Sequence, residues 1–197
     1  MAVRAPIEQT EGLYFITFTC CQWLPLFEIT DGYETVYKWF DYLKSKSHLL
    51  KGYVIMPNHL HVLIDFSASS KSINAIVSNG KRFMAYELVK RLQKNGNDEM
   101  LNKLMQAVTA SDKDRGKKHQ VFERSFDCKL ITTKHFFLEK LNYIHHNSCN
   151  GVGDWWQIRW ITGIVRQNIT LGEYRANTLL TVNNTSRPCP AYAQGWE

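Results

Sequence analysis

Residues 52–66 read GYVIMPNHLHVLIDF, and they give the clearest signal of the architecture in this sequence. Two apolar runs flank Pro57 and Asn58, a dipeptide that is typical of a tight turn. The runs therefore predict two antiparallel strands joined as a hairpin. In the second strand, HLHVLIDF, side chains alternate between the two faces. His59 and His61 are thus expected on one face, and Leu60, Val62 and Ile64 on the other, in the core.

The segments around this hairpin predict the remaining elements. LYFITFTC at 13–20 is rich in aromatic and β-branched residues and predicts a strand. Apolar residues at helical spacing predict three helices, at about 31–47, 72–95 and 134–147. Thr30 or Asp31 can cap the first helix and Thr133 the last. The expected inward positions of the second helix are Ile73, Ile76, Val77, Phe83, Met84 and Leu88.

The two remaining segments complete the order of elements. Residues 96–120 are polar and predict an excursion with one short helix, and VFERSFDCKLIT at 121–132 predicts a fourth strand. The resulting order, β-α-β-β-α-β-α, contains a split β-α-β motif twice. It predicts an α+β domain with a four-stranded antiparallel sheet and helices on one face.

Composition narrows the possible functions. The 197 residues carry a formal net charge of +6 and a pI near 9.0, which favours an anionic partner such as nucleic acid. No apolar run reaches the roughly 18 residues of a membrane span, and the N-terminus has no apolar signal core. We therefore expect neither a membrane-spanning helix nor a secretory signal. Five scattered cysteines without a CxxC pair argue against a disulfide or zinc-cysteine scaffold, and the expected location is the cytoplasm.

Candidate site residues lie on the third strand and the last helix. Two imidazoles on one face of a strand can chelate a divalent metal, although two ordinary surface histidines would show the same pattern. On the last helix, Tyr143 and Asn147 are one turn apart and lie with Lys140 on one flank of the buried stripe. They can equally be a boundary aromatic and a helix C-cap. Together these residues suggest a tyrosine nucleophile beside a metal.

Two segments then resemble a known family. GYVIMPNHLHVLIDF followed by KLNYIHHN is similar to the single-tyrosine HUH transposases, especially the REP-associated tyrosine transposases, over about residues 12–147. The resemblance implies a ferredoxin-like nuclease that cuts single-stranded or hairpin DNA and forms a 5′-phosphotyrosine link. It implies that Tyr143 is the nucleophile and that His59, His61 and Asn147 bind Mg²⁺ or Mn²⁺. It leaves a monomer or a homodimer open.

Basic residues are candidates for binding the DNA backbone if they converge on the active face. They are Lys81, Arg82, Lys90, Arg91, Arg115, Lys117 and Lys118. Two other functions remain open at this point. One is a non-catalytic single-stranded nucleic-acid-binding module that reads bases on its sheet. The other is a metal-dependent hydrolase that uses water and would not need Tyr143.

The last part of the chain does not fit the repeat. Residues 1–147 form the expected nuclease domain, and 148–197 form a divergent segment that is expected to be partly disordered, with little stability lost on truncation near 175. Ser148 stands where the resembled family has a proline. Ligation requires neutral histidines, so we also expect activity to fall as the pH drops through about 6.5.

Overall fold

The structure is a computed structural model that describes residues 8–147 and three short strands at 161–163, 170–171 and 174–175. The elements in chain order are β1 (Gly12–Thr19), α1 (Leu26–Ile29), α2 (Tyr33–Ser45), β2 (Leu49–Ile55), β3 (His59–Phe66), α3 (Ile73–Lys94), α4 (Asp98–Gln106), α5 (Ala110–Asp114), β4 (Asp127–Leu130), α6 (Lys134–Asn147), β5 (Ile161–Gly163), β6 (Thr170–Leu171) and β7 (Tyr174–Arg175). A 3-10 turn at Cys21–Trp23 follows β1.

The predicted hairpin of β2 and β3 forms the centre of an antiparallel sheet. The backbone N–H of Met56 donates to the carbonyl of His59 at 2.8 Å, which leaves Pro57 and Asn58 as a two-residue loop. The sheet has the strand order β4-β1-β3-β2-β5, and every neighbouring pair is antiparallel. The four strands β4-β1-β3-β2 confirm the predicted α+β, ferredoxin-like sheet. β5 adds a fifth strand at the edge of β2.

Helices cover both faces of this sheet. α2 and α3 pack on the face that carries Ile16, Val62 and Ile64, and the prediction of a shared face holds for these two helices. α6 packs on the opposite face, where its Phe137 and Ile144 join a second buried cluster. The prediction that all helices lie on one face is therefore wrong for α6. The physical reason is that β1 and β3 are apolar on both faces, so each face needs a cover.

The contact between α2 and α3 depends on a glycine. A Cβ at Gly80 would lie 2.3 Å from Nε1 of Trp39, so only glycine allows the indole this close to α3. The prediction that Phe83 faces inward is wrong, because the buried residues in this part of α3 are Gly80, Lys81 and Met84. Phe83 is instead exposed on the outer side of α3. At the start of α2, Gly32 takes the N-cap position, so neither Thr30 nor Asp31 caps this helix.

Residues 96–120 form two helices, α4 and α5, where one was predicted. Asn97 caps α4, because its side-chain oxygen accepts from the backbone N–H of Met100 at 3.1 Å. Leu104 of α4 is fully buried in the same core cluster as α2 and α3. This segment is thus part of the domain core and not only a polar excursion.

The last helix, α6, is described through Asn147, and the predicted helix end at about Asn147 or Ser148 lies at the limit of the described residues. Most of the predicted C-terminal segment, 148–197, lies outside the described residues, and so does the expectation for truncation near 175. Among the described residues, no helix has both the length and the apolar character needed to cross a membrane.

Candidate metal and tyrosine site

The histidine pair lies on the sheet face that α6 covers. β1 pairs with β3 so that Thr17 is opposite His61 and Thr19 is opposite His59. His61 is buried, and its Nδ1 lies 2.6 Å from the Thr17 hydroxyl oxygen. The two imidazole rings are 4.7 Å apart, centroid to centroid. The strand therefore places both rings together, as the spacing predicts.

Asn58 holds the other histidine. Its side-chain oxygen lies 2.7 Å from Nδ1 of His59, and its Nδ2 donates to the carbonyl of Trp23 at 3.3 Å. An amide oxygen can only accept, so Nδ1 of His59 carries the hydrogen and Nε2 keeps its lone pair. The Thr17 hydroxyl can accept from His61 in the same way. Oxygen partners on one ring nitrogen are what orient metal-binding histidines, with the other nitrogen as the ligand.

Burial keeps both histidines neutral. It lowers the pKa of His59 from its ordinary 6.5 to about 4. Burial, with a smaller contribution from His59, lowers the pKa of His61 to about 3. Protons should therefore compete with a metal only well below neutral pH, because only neutral imidazole is a ligand. If protonation of these two rings limits activity, we therefore expect the loss near pH 4 and not near pH 6.5.

Tyr143 lies directly against the histidine pair. α6 buries Phe137 and Ile144 and leaves Tyr143 on the predicted flank, 45% exposed. Its ring is 5.1 Å from the ring of His61 and 5.9 Å from that of Phe15. Phe15 in turn stacks on His61 at 5.6 Å. Residues 82 positions apart in the sequence thus meet at one point, with part of the tyrosine still open to solvent.

Lys140 brings a positive charge to the same point. Its Nζ lies 5.8 Å from the ring centroids of Phe15 and Tyr143 and 5.0 Å from that of Phe136. Its side chain is only 13% exposed and its Nζ is 2.6 Å from Oε1 of Glu139. The aromatic faces attract the ammonium group and hold it beside the tyrosine.

Asn147 follows Tyr143 by one helical turn, at the end of α6. Its Nδ2 donates to the backbone carbonyl of Tyr143 at 3.1 Å. This hydrogen bond uses the nitrogen of the amide and fixes the side chain at the helix end. The carbonyl oxygen of the amide is the atom that could ligate a metal, and its role as a third ligand stays a prediction.

The donor set suits a divalent metal only if a neutral oxygen contributes. Among the described residues, no three His, Cys, Asp or Glu side chains come together in a group that could hold a metal ion. Two neutral imidazoles and an amide oxygen are reasonable ligands for Mn²⁺, and Mg²⁺ would bind with additional water. Asp127 lies opposite Thr17 on β4, so it shares the row of Thr17 and His61 on this face.

The predicted basic residues do not converge on this face. The prediction that Lys81 binds the DNA backbone is wrong, because this side chain is buried and its ammonium donates to the carbonyls of Glu123 and Ser125. Burial lowers its pKa to about 8. The same prediction for Arg91 is also wrong, because its guanidinium donates to the carbonyl of Asp31 and to the carboxylate of Glu34.

The other five basic residues are exposed in two places. Arg82 and Lys90 lie on α3, which packs on the face away from the histidines. Arg115, Lys117 and Lys118 follow α5. Lys117 lies near Cys21 and therefore near the end of β1. Only this second group is at the end of the sheet where the histidines stand.

The sequence analysis missed several residues at the site. They are Phe15, Thr17, Trp23, Asn58 and Lys129. The alternation of β1 places its odd-numbered residues on one face. Only the register with β3, in which Thr17 lies opposite His61, shows that this face also carries the histidines. Lys129, opposite Phe15 on β4, is exposed on the same face. Asn58 could have been predicted from the sequence, because it directly precedes His59 and has a polar side chain.

Solved structures with a similar fold are known. The chain is similar to a REP-associated tyrosine transposase bound to a REP hairpin, with a TM-score of 0.51 and 13% identity over 75% of this chain and 72% of that one. It is also similar to a candidate transposase from Deinococcus radiodurans R1, with a TM-score of 0.41 and 14% identity over 74% of this chain and 97% of that one. No protein-family model and no curated protein sequence matches this chain. The chain thus shares the fold of the REP-associated enzyme.

Proposed function

We propose that this protein is a transposase-like, metal-dependent endonuclease and strand transferase that acts on single-stranded or hairpin DNA. The observation that carries the proposal is the 5.1 Å contact between the rings of Tyr143 and His61. It brings a partly exposed tyrosine to a pair of neutral histidines. The shared fold with a transposase that binds a DNA hairpin supports the same reading.

Tyr143 supplies the nucleophile in this proposal. Its hydroxyl oxygen attacks a backbone phosphorus, a Tyr143 oxygen–phosphorus bond forms, and the bond from phosphorus to the 3′ oxygen breaks. The tyrosine loses its proton to solvent, and the departing oxygen takes up a proton to leave a 3′-OH. The 5′-phosphotyrosine keeps the energy of the phosphodiester, so a later attack by a 3′-OH can rejoin strands without a nucleotide cofactor.

The neighbouring residues position and stabilise this reaction. His59 and His61 would hold Mg²⁺ or Mn²⁺ with the Asn147 oxygen as a third ligand. A bound divalent metal would polarise a phosphate oxygen and stabilise the charge of the transition state. Lys140, beside the Tyr143 ring, can bind the same phosphate.

The non-catalytic alternative fits the site less well. A module that reads bases on its sheet needs exposed aromatic rings on that face. Here Phe15 is buried, stacked on His61 and in contact with Tyr143. α6 covers much of the face that such a module would leave open. This alternative therefore has less support than the nuclease.

Covalent attachment tests the proposal. The protein is incubated with Mn²⁺ and a DNA hairpin that has single-stranded flanks, and adducts are resolved on a denaturing gel. We expect an adduct with the wild type and none with Tyr143→Phe, while DNA binding stays nearly unchanged because only a hydroxyl is lost. Tyr86→Phe is the matched control, because Tyr86 is exposed on α3 and should keep full adduct formation.

Three results would contradict the proposal. An adduct that survives in Tyr143→Phe would move the nucleophile elsewhere. Cleavage by Tyr143→Phe without any adduct would favour a hydrolase that uses water. Adduct formation that is unchanged in EDTA would show that the metal assignment is wrong.

A further inference from the structure

Trp23 is an unusually placed tryptophan beside the candidate site. Its side chain is 63% exposed, although the indole is one of the largest apolar groups in proteins. Its ring meets the ring of His59 edge to face at 5.7 Å. A large aromatic face is therefore open to solvent next to a predicted metal ligand.

The backbone that presents Trp23 is strained and firmly held. Gln22 and Trp23 have φ values of 53° and 58°, a left-handed conformation that is rare for residues other than glycine. Such strain persists only where surrounding contacts enforce it, and it clusters at ligand sites. Here the N–H of Gln22 donates to the carboxylate of Glu123 at 2.9 Å, and the carbonyl of Trp23 accepts from Asn58.

The same contacts connect the turn to the histidines. Asn58 binds Trp23 through its nitrogen and His59 through its oxygen. The backbone N–H of Cys20 donates to the carbonyl of Asn58 at 2.8 Å, and the N–H of Cys21 donates to that of Val121 at 2.8 Å. The backbone of Trp23 is thus held next to His59 by hydrogen bonds on both sides of the turn.

The charge around the turn suits a nucleic acid. Burial raises the pKa of the Cys21 thiol, the Glu123 carboxylate raises it further, and the Lys117 ammonium lowers it. Lys117 therefore lies close to the turn, and the exposed Lys118 and Arg115 are near it in the chain. A basic segment beside an exposed aromatic face is the combination that binds single-stranded nucleic acid, with bases stacked and phosphates paired.

We propose that Trp23 is a stacking platform for one unpaired base of the DNA strand that is cut at this site. The platform rests on the proposed nuclease function, because it would hold the nucleotide next to the phosphate that Tyr143 attacks. Stacking is tolerant of sequence, since every base has an aromatic face. Trp23 is a positioning residue in this account, and it takes no part in bond making.

Binding measurements with and without bases test the platform. The probes are a single-stranded thymidine oligonucleotide of about 16 nucleotides and a strand of the same length built only from abasic sugar-phosphate units. All proteins carry Tyr143→Phe, so no adduct forms and binding is measured alone. We expect Trp23→Ala to weaken binding of the thymidine strand by about 5- to 100-fold. The same change should leave binding of the abasic strand within about twofold.

Two further variants separate stacking from structural damage. Trp23→Phe keeps an aromatic face and should recover most of the lost affinity. Tyr86→Ala removes a ring that is 66% exposed on α3, away from the site, and should leave both probes within about twofold. Unchanged thymidine binding in Trp23→Ala, an equal loss for both probes, or an equal loss in Tyr86→Ala would each overturn the platform.

The two proposals fail separately. Binding in the Tyr143→Phe background does not depend on chemistry, so the platform is tested even if the wild type forms no adduct. Conversely, an adduct from the wild type together with unchanged thymidine binding in Trp23→Ala would leave the nuclease standing and remove only the platform.

Discussion

Thr17 is the residue on which the orientation of His61 depends. Its hydroxyl is 2.6 Å from Nδ1 of His61, and the partner of a metal-binding histidine typically changes metal affinity by about 10- to 100-fold. We predict that Thr17→Val, which keeps the shape and removes the oxygen, weakens Mn²⁺ binding by about that factor in calorimetric titration. Thr19→Val, on the same face opposite His59, is the control and should bind Mn²⁺ as the wild type does.

Equal Mn²⁺ affinity in Thr17→Val and in Thr19→Val would show that the hydroxyl does not orient the ring. Loss of Mn²⁺ binding in His59→Ala and in His61→Ala is expected in the same titration. Binding that survives either change would place the metal away from this pair.

The buried His61 and the half-buried His59 also make stability depend on pH. Their pKa values are lowered to about 4 and about 3 in the folded chain, against 6.5 when unfolded. Above pH 6.5 both states are neutral at these rings. Between pH 6.5 and about 4 the unfolded chain takes up protons that the folded chain does not, so the free energy of unfolding falls.

We predict a loss on the order of 2 kcal/mol for each histidine by pH 4.5, measured by urea unfolding. Other groups titrate in this range too, so the comparison is with the double variant His59→Gln/His61→Gln. The double variant should lose less stability between pH 7 and pH 4.5. Parallel pH curves for the two proteins would contradict the burial of neutral rings.

At the scale of elements, the sequence predicts which segments form strands and helices better than it predicts their layers. Strand β3 begins and ends at the predicted residues, and helix α6 begins at the predicted residue, because alternation, the Pro57-Asn58 turn and the Thr133 cap are local signals. The face that a helix covers is not a local property. It depends on which strand residues need a partner, and here the apolar residues on both faces of β1 and β3 require two layers.

The face of the sheet on which α6 packs determines whether Tyr143 can contact the histidine pair. On the face of α2 and α3, Tyr143 would be separated from His61 by the whole sheet. The tyrosine and both histidines were candidates from the sequence and Lys140 was placed on the flank of Tyr143, and the second layer brings these side chains together. Residues such as Thr17 and Trp23 could not be assigned from the sequence alone, because their roles depend on strand register and on a strained turn.

Gly80 carries a prediction at the scale of helix packing. Its missing side chain admits the indole of Trp39 between α2 and α3. Alanine gains about 1 kcal/mol in helix propensity but overpacks a buried contact, which typically costs about 1–3 kcal/mol. A contact of 2.3 Å places the cost at the upper end of this range, so we predict that Gly80→Ala lowers the free energy of unfolding by about 2 kcal/mol. Ser78→Ala, exposed on the same helix, is the control, and equal or higher stability of Gly80→Ala would contradict this packing.

For the whole molecule, the basic residues on the face that carries the site should determine most of the salt dependence of DNA binding. Binding of single-stranded DNA should weaken with salt, with a log-log slope of about −0.7 for each phosphate neutralised. Lys129 and Lys140 lie on the histidine face, so Lys129→Met and Lys140→Met should each make the slope less negative by about 0.7. Lys90→Met on α3 should leave it unchanged, and an equal change there would place the DNA on the other face.

We propose above that Tyr143, which a helix on the second face holds against His61, becomes covalently joined to DNA. The most direct measurement is mass spectrometry of peptides from wild-type protein incubated with hairpin DNA and Mn²⁺, after nuclease trimming of the adduct. We expect a nucleotide linked through phosphate to the peptide that contains Tyr143, and to no other peptide. A nucleotide on Tyr53, Tyr86 or another tyrosine, or cleaved DNA with no modified peptide, would contradict it.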